Sequence, residues 1–442
     1  MGASRQLKRW IARGFVALFL CTGLGAYSIW SVPFVWIAQA GEVALAAALI
    51  IGLNRVRNVP GGLVFIVFIA WALIVNILNA ECFASMMPAM ATLPYGLFII
   101  VRYVNLLAFA AVFYLTFWLM TQGYSEFLVK GIVGVGTLVS LAALYIYIAQ
   151  IYGLPEPSRT RMGTGGGEQA TTFSLGSFFY TRALGTFREP SHLAEWLVLP
   201  LFFSLARSNR AARVGTFLIG TTLLLTVSLT GILSAMVGGV AAILISNPLR
   251  LENLKRLVGV AAVLSVLAIG LQIVSVNAAD EEHSITSIVS LRTLEILEGG
   301  LGSSNRGHTY EFIADNPFPL VGYGLGNANI FISNAFGSDL VMSYLSLYIN
   351  TLYSTGIVGL GLLLVFLVSP IIRNLAKRES AKLRHSPVFL MTYLAYLVSF
   401  GVNVDELSVP FAISAAFLAY QGALGSRLKG HVVPHIRFGQ AH

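Results

Sequence analysis

Apolar stretches long enough to cross a bilayer recur along the whole chain, separated mostly by short polar segments. A chain inside hydrocarbon must satisfy its own backbone polar groups, so each stretch predicts a transmembrane helix. The pattern predicts about 12 helices, over residues 14–32, 34–53, 62–80, 96–119, 131–152, 191–206, 213–229, 231–246, 257–276, 350–370, 387–403 and 409–425. The predicted fold class is therefore an all-α polytopic membrane protein.

Two polar segments, 153–190 and 277–349, are much longer than the others and divide the chain. They separate three groups of helices. The first five helices occupy residues 1–152, the next four occupy 191–276, and the last helices with a polar tail occupy 350–442. Function is expected in the two long segments, because the remaining connections are short.

Composition and charge agree with this interpretation. Of the 442 residues, 56% are hydrophobic and only 11% are charged. All six lysines and most arginines fall in segments on the same side of the membrane as the N-terminus. Basic residues accumulate in cytoplasmic loops, so both termini are predicted to be cytoplasmic, and the net charge of +9 needs no nucleic acid to explain it. Cys21 and Cys82 are expected to be free thiols, since two cysteines make no disulfide framework.

The basic residues that remain on the opposite side are all arginines, and six of the seven lie in the two long segments. They are Arg102, Arg159, Arg161, Arg182, Arg188, Arg292 and Arg306. A guanidinium keeps its charge in any environment and binds phosphate or carboxylate through a planar fork. Their location beside the membrane therefore predicts an anion-binding site.

The end of the first long segment, TRALGTFREPSH, concentrates charge before the sixth predicted helix. Arg182 and Arg188 are positioned to attract an anion there. Glu189 has two interpretations: a catalytic carboxylate, or the distal member of a capping box that Thr186 begins. His192 is expected on the same helix face as Glu189, either as a catalytic group or as an interface residue. Glu195, deeper in the same helix, is a further functional candidate because a carboxylate is costly inside a membrane.

The second long segment contains SSNRGHTYEFIADNPFPLVGYGLGN, over residues 303–327. Arg306 and His308 join Glu311 and Asp315 there, and glycines at 322, 324 and 326 predict a turn that approaches the membrane surface closely. The sequence contains no HExxH, CxxC or GxSxG pattern, so we predict neither a metal centre nor a serine hydrolase. We also predict no cofactor.

These residues resemble a known family. The stretch from Arg182 to Ser191, R-x-x-G-T-F-x-E-P-S, is similar to the extracytoplasmic motif of Wzy-type polysaccharide polymerases, in the O-antigen ligase/polymerase superfamily. Ser304-Asn305-Arg306, the stretch from Asn316 to Asn327, and Ser354 to Leu360 resemble later motifs of that family in the expected order. The resemblance covers about residues 100–425.

The resemblance implies a GT-C-like fold in the bacterial inner membrane, with the two long loops forming the site. It implies a metal-independent glycosyl transfer from undecaprenyl diphosphate, in which a growing glycan is the donor and one lipid-linked repeat unit is the acceptor. Arg182, Arg188, Arg306 and Arg292 are then expected to bind the diphosphate, which needs positive charge as it departs. Glu189 is expected to be the general base, with His192 and His308 in reserve. A copolymerase that sets chain length is the expected protein partner.

Three alternatives remain open. A ligase of the same superfamily carries a His-Asn pair where this chain has Leu345-Ser346, which favours the polymerase. Many members carry Ser-Arg where this chain has Ser228-Leu229, so a mechanism that needs an arginine there is not supported. A secondary transporter fits the number of helices, but transporters place charge near the bilayer midplane in broken helices. In a purely structural membrane protein, the arginines and carboxylates would form interface salt bridges.

Overall fold

The computed structural model describes residues 2–30, 32–53, 59–161, 172–175, 178–207, 209–246, 312–375, 386–402 and 406–427. Its helices are α1 (Gly2–Thr22), α2 (Phe34–Leu53), α3 (Gly62–Ser85), α4 (Tyr95–Thr121), α5 (Ser125–Tyr152), α6 (Pro190–Leu205), α7 (Arg210–Leu225), α8 (Leu229–Ser246), α9 (Asn327–Ala335), α10 (Leu347–Leu375), α11 (Ser386–Val402) and α12 (Val409–Arg427). Two antiparallel hairpins join them, one of β1 (Ser28–Ile29) with β2 (Val32–Pro33), and one of β3 (Thr172–Leu175) with β4 (Phe178–Thr181).

Long apolar helices confirm the predicted class, an all-α membrane protein. Within the described residues, five helical stretches are long and apolar enough to cross a bilayer. They are Phe34–Ile51, Gly62–Ser85, Tyr95–Thr121, Ser125–Tyr152 and Leu347–Leu375. Shorter apolar helices lie at Thr230–Ala241, Pro387–Gly401 and Val409–Leu424. The ninth predicted helix, 257–276, lies outside the described residues.

The helix predicted over 14–32 is wrong in its second half. α1 begins at Gly2 and ends at Thr22, and a turn then leads into the β1–β2 hairpin. Gly23 follows the helix directly, which is a common way for a helix to end. Hydropathy does not detect this end because the residues on both sides of it are apolar.

The boundary between the seventh and eighth helices also differs from the prediction. The pattern placed it at Thr230-Gly231, whereas α7 ends at Leu225 and α8 begins at Leu229. The turn between them contains Val227, whose φ of 47° is rare for a β-branched residue. A conformation that the side chain disfavours is not readable from the apolar pattern.

The chain packs as two compact units that interleave in sequence. The first comprises Met1–Phe19, Ala38–Ile132 and Phe318–His442, and the second comprises Leu20–Ile37 and Val133–Pro317. We call them unit 1 and unit 2. The chain therefore leaves unit 1 and returns to it twice.

Unit 1 is built around an aromatic core. α4 packs against α12, and α3 packs against α10. Phe366 of α10 lies with its ring centroid 4.8 Å from Phe65 and 6.0 Å from Phe109. Phe411 of α12 completes the cluster at 5.8 Å from Phe109. Because all four rings are buried, they fix how these helices pack.

α10 is interrupted at Gly356, whose φ of 67° and ψ of −169° lie outside the helical region. Residues 320–324 form hydrogen bonds with the backbone of α10 at this break. Ile357 N donates to Leu320 O at 3.2 Å, and Gly324 N donates to Ser354 O at 2.7 Å. The indole of Trp71 donates to Thr355 O at 2.8 Å. The break is therefore filled by neighbouring groups of the same unit.

Unit 2 is held by close helix approaches at glycines. Gly136 of α5 lies against Pro200 of α6, and Gly231 of α8 lies against Ala194 of α6, with no room for a side chain at either glycine. Small residues at such contacts let helix backbones approach closely inside a membrane. The indole of Trp196 also donates to Thr22 Oγ1 at 3.0 Å. These contacts position the start of α6, where the charged motif lies.

Candidate functional site

Four loops of unit 2 are joined by hydrogen bonds into one structure, which we call the loop platform. It comprises residues 23–28, 156–161, 182–189 and 226–228. Thr186 Oγ1 donates to Gly23 O at 2.5 Å, and Ala26 N donates to Thr186 O at 2.9 Å. Arg161 N donates to Ala26 O at 3.1 Å. The platform thus brings the motif before α6 together with the loop that follows α5.

Gly185 allows the motif to turn close to α5. Its φ of 51° is in the left-handed region, where glycine carries no steric penalty. A Cβ at this position would lie 2.5 Å from the Cβ of Ala143. The glycine of R-x-x-G-T-F is therefore required by the close approach of the backbone to α5.

Arg182 is buried and holds the motif to the turn between α7 and α8. Its Nε donates to Thr226 O at 2.8 Å, and the next residue, Ala183, donates its N–H to Leu225 O at 2.9 Å. Only 9% of Arg182 is exposed. Arg182 therefore anchors the motif to this turn.

Arg188 and Arg161 are brought close enough to repel each other. Arg161 Nη1 donates to Gly25 O at 2.9 Å, which fixes one side of its guanidinium. Burial first, and then the positive charge of Arg188, lowers the pKa of Arg161 from its usual value to about 10. Two guanidiniums in a partly buried place favour a bound anion, because a negative charge would offset both desolvation and repulsion.

Arg161 is the functional candidate that the sequence interpretation left without a role. It is separated from Arg188 by 26 intervening residues, and hydrogen bonds between distant loops, including those from Arg161 to Gly25 O and Ala26 O, bring them together. The weak signal was its presence among the arginines of the long segment. The predicted diphosphate-binding set of Arg182 and Arg188 therefore gains Arg161 as a neighbour.

Glu189 does not belong to a capping box. The predicted box needs Thr186 as the N-cap and Glu189 three residues into the helix, but Glu189 is itself the N-cap and makes no side-chain capping bond. Thr186 instead donates to Gly23. Pro190 occupies the first helical turn, as its fixed φ favours. The Glu189 side chain is exposed and accepts from Ser191 Oγ at 3.3 Å.

The other acidic and imidazole candidates near α6 separate by burial. His192 is exposed in the first turn of α6, one turn from Glu189, as the helical spacing predicted. Glu195 is buried, with 8% of its surface exposed. Glu189 and His192 are therefore accessible to a substrate, and Glu195 is enclosed by protein.

Three predicted site residues, Arg292, Arg306 and His308, lie outside the described residues, as does Glu311. Their proximity to the loop platform stays a prediction. Asp315 is described, and it is exposed, directly before Asn316 and Pro317. In the part of the chain that the structure describes, no three His, Cys, Asp or Glu residues are arranged to hold a metal.

The glycine-rich stretch 322–327 forms a turn, as predicted, and it belongs to unit 1, whereas its approach to the membrane surface stays a prediction. Gly322, Gly324 and Gly326 have φ values of 94°, 109° and 81°. Gly324 touches the amide of Asn76 on α3, and Gly326 lies against α4. The turn therefore fills the space beside the break in α10 and leads into α9.

Unit 1 also contains an ion pair that the sequence interpretation did not predict. Arg102 of α4 pairs with Glu406, in the loop before α12, and Asn105 donates to the other carboxylate oxygen. The Arg102 guanidinium also lies over the ring of Phe98, 4.9 Å from its centroid. The sequence does not indicate a partner for Arg102, because Glu406 lies about 300 residues away. The separation between Glu406 and Asn105, on the same helix as Arg102, is 301 residues.

Cys21 and Cys82 are both free thiols, as expected.

Comparison with models of known protein families finds no match for this chain, and no curated protein matches it either.

Proposed function

We propose that this protein polymerises lipid-diphosphate-linked oligosaccharide repeat units into a surface polysaccharide. The donor is a glycan on undecaprenyl diphosphate, the acceptor is a second lipid-linked unit, and the reaction takes place at the outer face of a bacterial inner membrane. The proposal includes a GT-C-like arrangement of about 12 helices with both termini in the cytoplasm. It rests on the family resemblance of the motifs and on the geometry of the loop platform.

The observation that carries the proposal is the grouping of Arg161, Arg182 and Arg188 on the loop platform. The motif R-x-x-G-T-F-x-E-P-S is held in a defined shape there by Gly185 and by the bond from Arg182 to Thr226. A lipid diphosphate carries the negative charge that guanidiniums bind. Lysine would provide a point charge, whereas these guanidiniums offer forked donors to phosphate oxygens.

The proposed reaction is a nucleophilic substitution at the anomeric carbon of the donor. An acceptor hydroxyl oxygen forms the new glycosidic bond, and the bond from that carbon to the diphosphate oxygen breaks. The leaving diphosphate takes the bonding electron pair, and Arg161 and Arg188 stabilise its charge, together with Arg306 and Arg292. Glu189 accepts the hydroxyl proton, with His192 or His308 as the alternative base.

The test uses a deletion strain of the source bacterium, with the gene restored intact or as a variant. Arg188→Ala is expected to reduce polymer on the order of 10²-fold, because it removes a group that stabilises the transition state. Arg306→Ala and Glu189→Gln are tested in parallel. Lys130→Ala serves as the control, since Lys130 is exposed and pairs only with Glu126 four residues earlier.

Sizing of the lipid-linked glycans then separates the candidates. Single repeat units that accumulate in the deletion and in Arg188→Ala support the polymerase. Long lipid-linked polymer that accumulates instead identifies a ligase, and an unchanged glycan profile removes both. Normal polymer from Arg188→Ala, Arg306→Ala and Glu189→Gln, at normal membrane levels, would refute the site assignment.

A secondary transporter is the alternative that one observation favours, because α10 is interrupted at Gly356. Broken helices in transporters leave backbone carbonyls free to bind an ion. Here, Ser354 O accepts from Gly324 N, and Thr355 O accepts from the Trp71 indole. Since these carbonyls already have donors, the polymerase remains the better supported proposal.

A further inference from the structure

A groove at the start of α7, outside the loop platform, is lined by two arginines and two apolar residues. Arg210, Arg213, Val214 and Phe217 line one side of an open space of about 340 Å³. Their spacing of three, four and seven residues places all four on one face of the helix. Arg210 and Arg213 therefore lie at one end of a stripe on this face, and Val214 and Phe217 form its apolar part.

The arginines of this groove carry charge that the protein does not neutralise. Both are exposed, and in the described part of the chain no carboxylate forms an ion pair with either. The first turn of α7 contains no acidic residue. Ala212 N donates to Asn209 Oδ1 at 2.9 Å, so the helix is capped without using a guanidinium. The forked donors of Arg210 and Arg213 are therefore available to an external anion.

The apolar part of the stripe is exposed as well. Val214 is 51% exposed and Phe217 is 42% exposed, although both belong to a helix that packs against α6 and α8. From Arg210 to Phe217 the helix rises about 10 Å. The stripe is therefore long enough to contact the part of an acyl chain that lies next to the headgroup. A free phosphate would use only the arginines, whereas a phospholipid would cover the whole stripe.

We propose that this groove binds an anionic glycerophospholipid, with its phosphate on Arg210 and Arg213 and an acyl chain along Val214 and Phe217. Basic residues at the membrane end of a helix attract anionic headgroups, and the aligned apolar surface selects a lipid over a soluble anion. The site is independent of the polymerase proposal, because it uses none of the residues of the loop platform.

The test is native mass spectrometry of the full chain in detergent, with dioleoyl-phosphatidylglycerol as the probe and dioleoyl-phosphatidylcholine as the zwitterionic comparison. Arg210→Ala/Arg213→Ala is expected to reduce the bound phosphatidylglycerol about tenfold or more, since each arginine near a headgroup contributes on the order of 1 kcal/mol. Arg5→Ala/Arg373→Ala is the matched control. It removes the same charge from two exposed arginines outside the groove.

Phe217→Ser leaves both arginines in place, and it tests the acyl contact even if the double variant does not fold. It is expected to weaken phosphatidylglycerol binding while leaving any binding of inorganic phosphate unchanged. Equal losses in the groove variant and its control would overturn the proposal, because binding would then depend on net charge alone. Equal binding of phosphatidylcholine, or full competition by inorganic phosphate with no effect of Phe217→Ser, would overturn it too.

Discussion

At the scale of single residues, the central feature is the proximity of Arg161 to Arg188. Like charges in a partly buried place raise the free energy of the folded state, so the arrangement is stable only because other bonds hold it. The bonds from Arg161 to Gly25 and Ala26 provide that support. These bonds therefore hold the two guanidiniums near each other in the folded protein.

Arg161 makes the stability of the ligand-free protein depend on pH. Its pKa is about 10 in the folded chain and higher in the unfolded chain, so the unfolded chain binds more protons at pH values near and above 10. Stability contributed by this group therefore rises as pH increases through about 10. We expect the midpoint of detergent-phase unfolding to rise for the native protein relative to Arg161→Gln as the pH increases from about 8 to about 10.5.

Comparison with the variant removes the effect of tyrosines and lysines that titrate in the same range. Parallel pH profiles for the native protein and Arg161→Gln would contradict the repulsion. Inorganic pyrophosphate, added near neutral pH, is expected to stabilise the native protein more than Arg161→Gln, because its negative charge would offset the repulsion between the two guanidiniums.

At the scale of elements, the apolar pattern predicts where helices exist better than where they end. The five long spans lie at their predicted places, although their ends differ from the prediction by up to six residues. The errors fall at Gly23, at Val227 and at Glu189, where the ends are decided by local hydrogen bonds and by backbone conformation. The T-x-x-E pattern of Thr186 and Glu189 was misleading because Thr186 had a better acceptor in Gly23 O, from a distant part of the chain.

The glycine turn is the element whose packing tolerates least change. Gly324→Ala would place a methyl group on the Asn76 amide at a φ of 109°, so it combines backbone strain with overpacking. We expect the free energy of unfolding to fall by roughly 3 kcal/mol. Gly134→Ala is the matched control, since a Cβ there meets nothing within 4 Å. Unfolding of both variants in mixed detergent gives the comparison, and an equal effect of the two would contradict the packing argument.

At the scale of the whole molecule, the ion pair of Arg102 with Glu406 joins α4 to the loop before α12, and these two helices also pack against each other. Loss of Arg102 leaves the carboxylate with Asn105 as its remaining described donor. We expect Arg102→Ala and Glu406→Ala each to destabilise unit 1, and the double variant to cost less than their sum by about 1 kcal/mol. A double-mutant cycle in detergent-phase unfolding measures this coupling, and additive effects would show that the pair contributes nothing.

The sequence predicted the membrane class, because hydropathy is a local property, and the importance of the motif at 182–192 stays a prediction. It did not predict which distant residues meet. Arg161 with Arg188, Arg102 with Glu406, and the 320–324 segment with the break at Gly356 all depend on tertiary packing. No periodicity in one sequence contains that information, so the contacts of the candidate site could be predicted only in part.

The interleaving of unit 1 has a consequence for biosynthesis. α3 and α4 leave the ribosome long before their main partners α10 and α12, which are encoded about 300 residues later, as the separation of 301 between Asn105 and Glu406 illustrates. At about 5–20 residues per second, these helices wait roughly 15–60 s in the membrane with Asn76, Arg102 and Asn105 unsatisfied by their final neighbours. During that interval lipid, water or an insertion chaperone must shield these polar groups. If translation stopped before α12, the truncated chain would keep them exposed in the membrane, where quality control could recognise them.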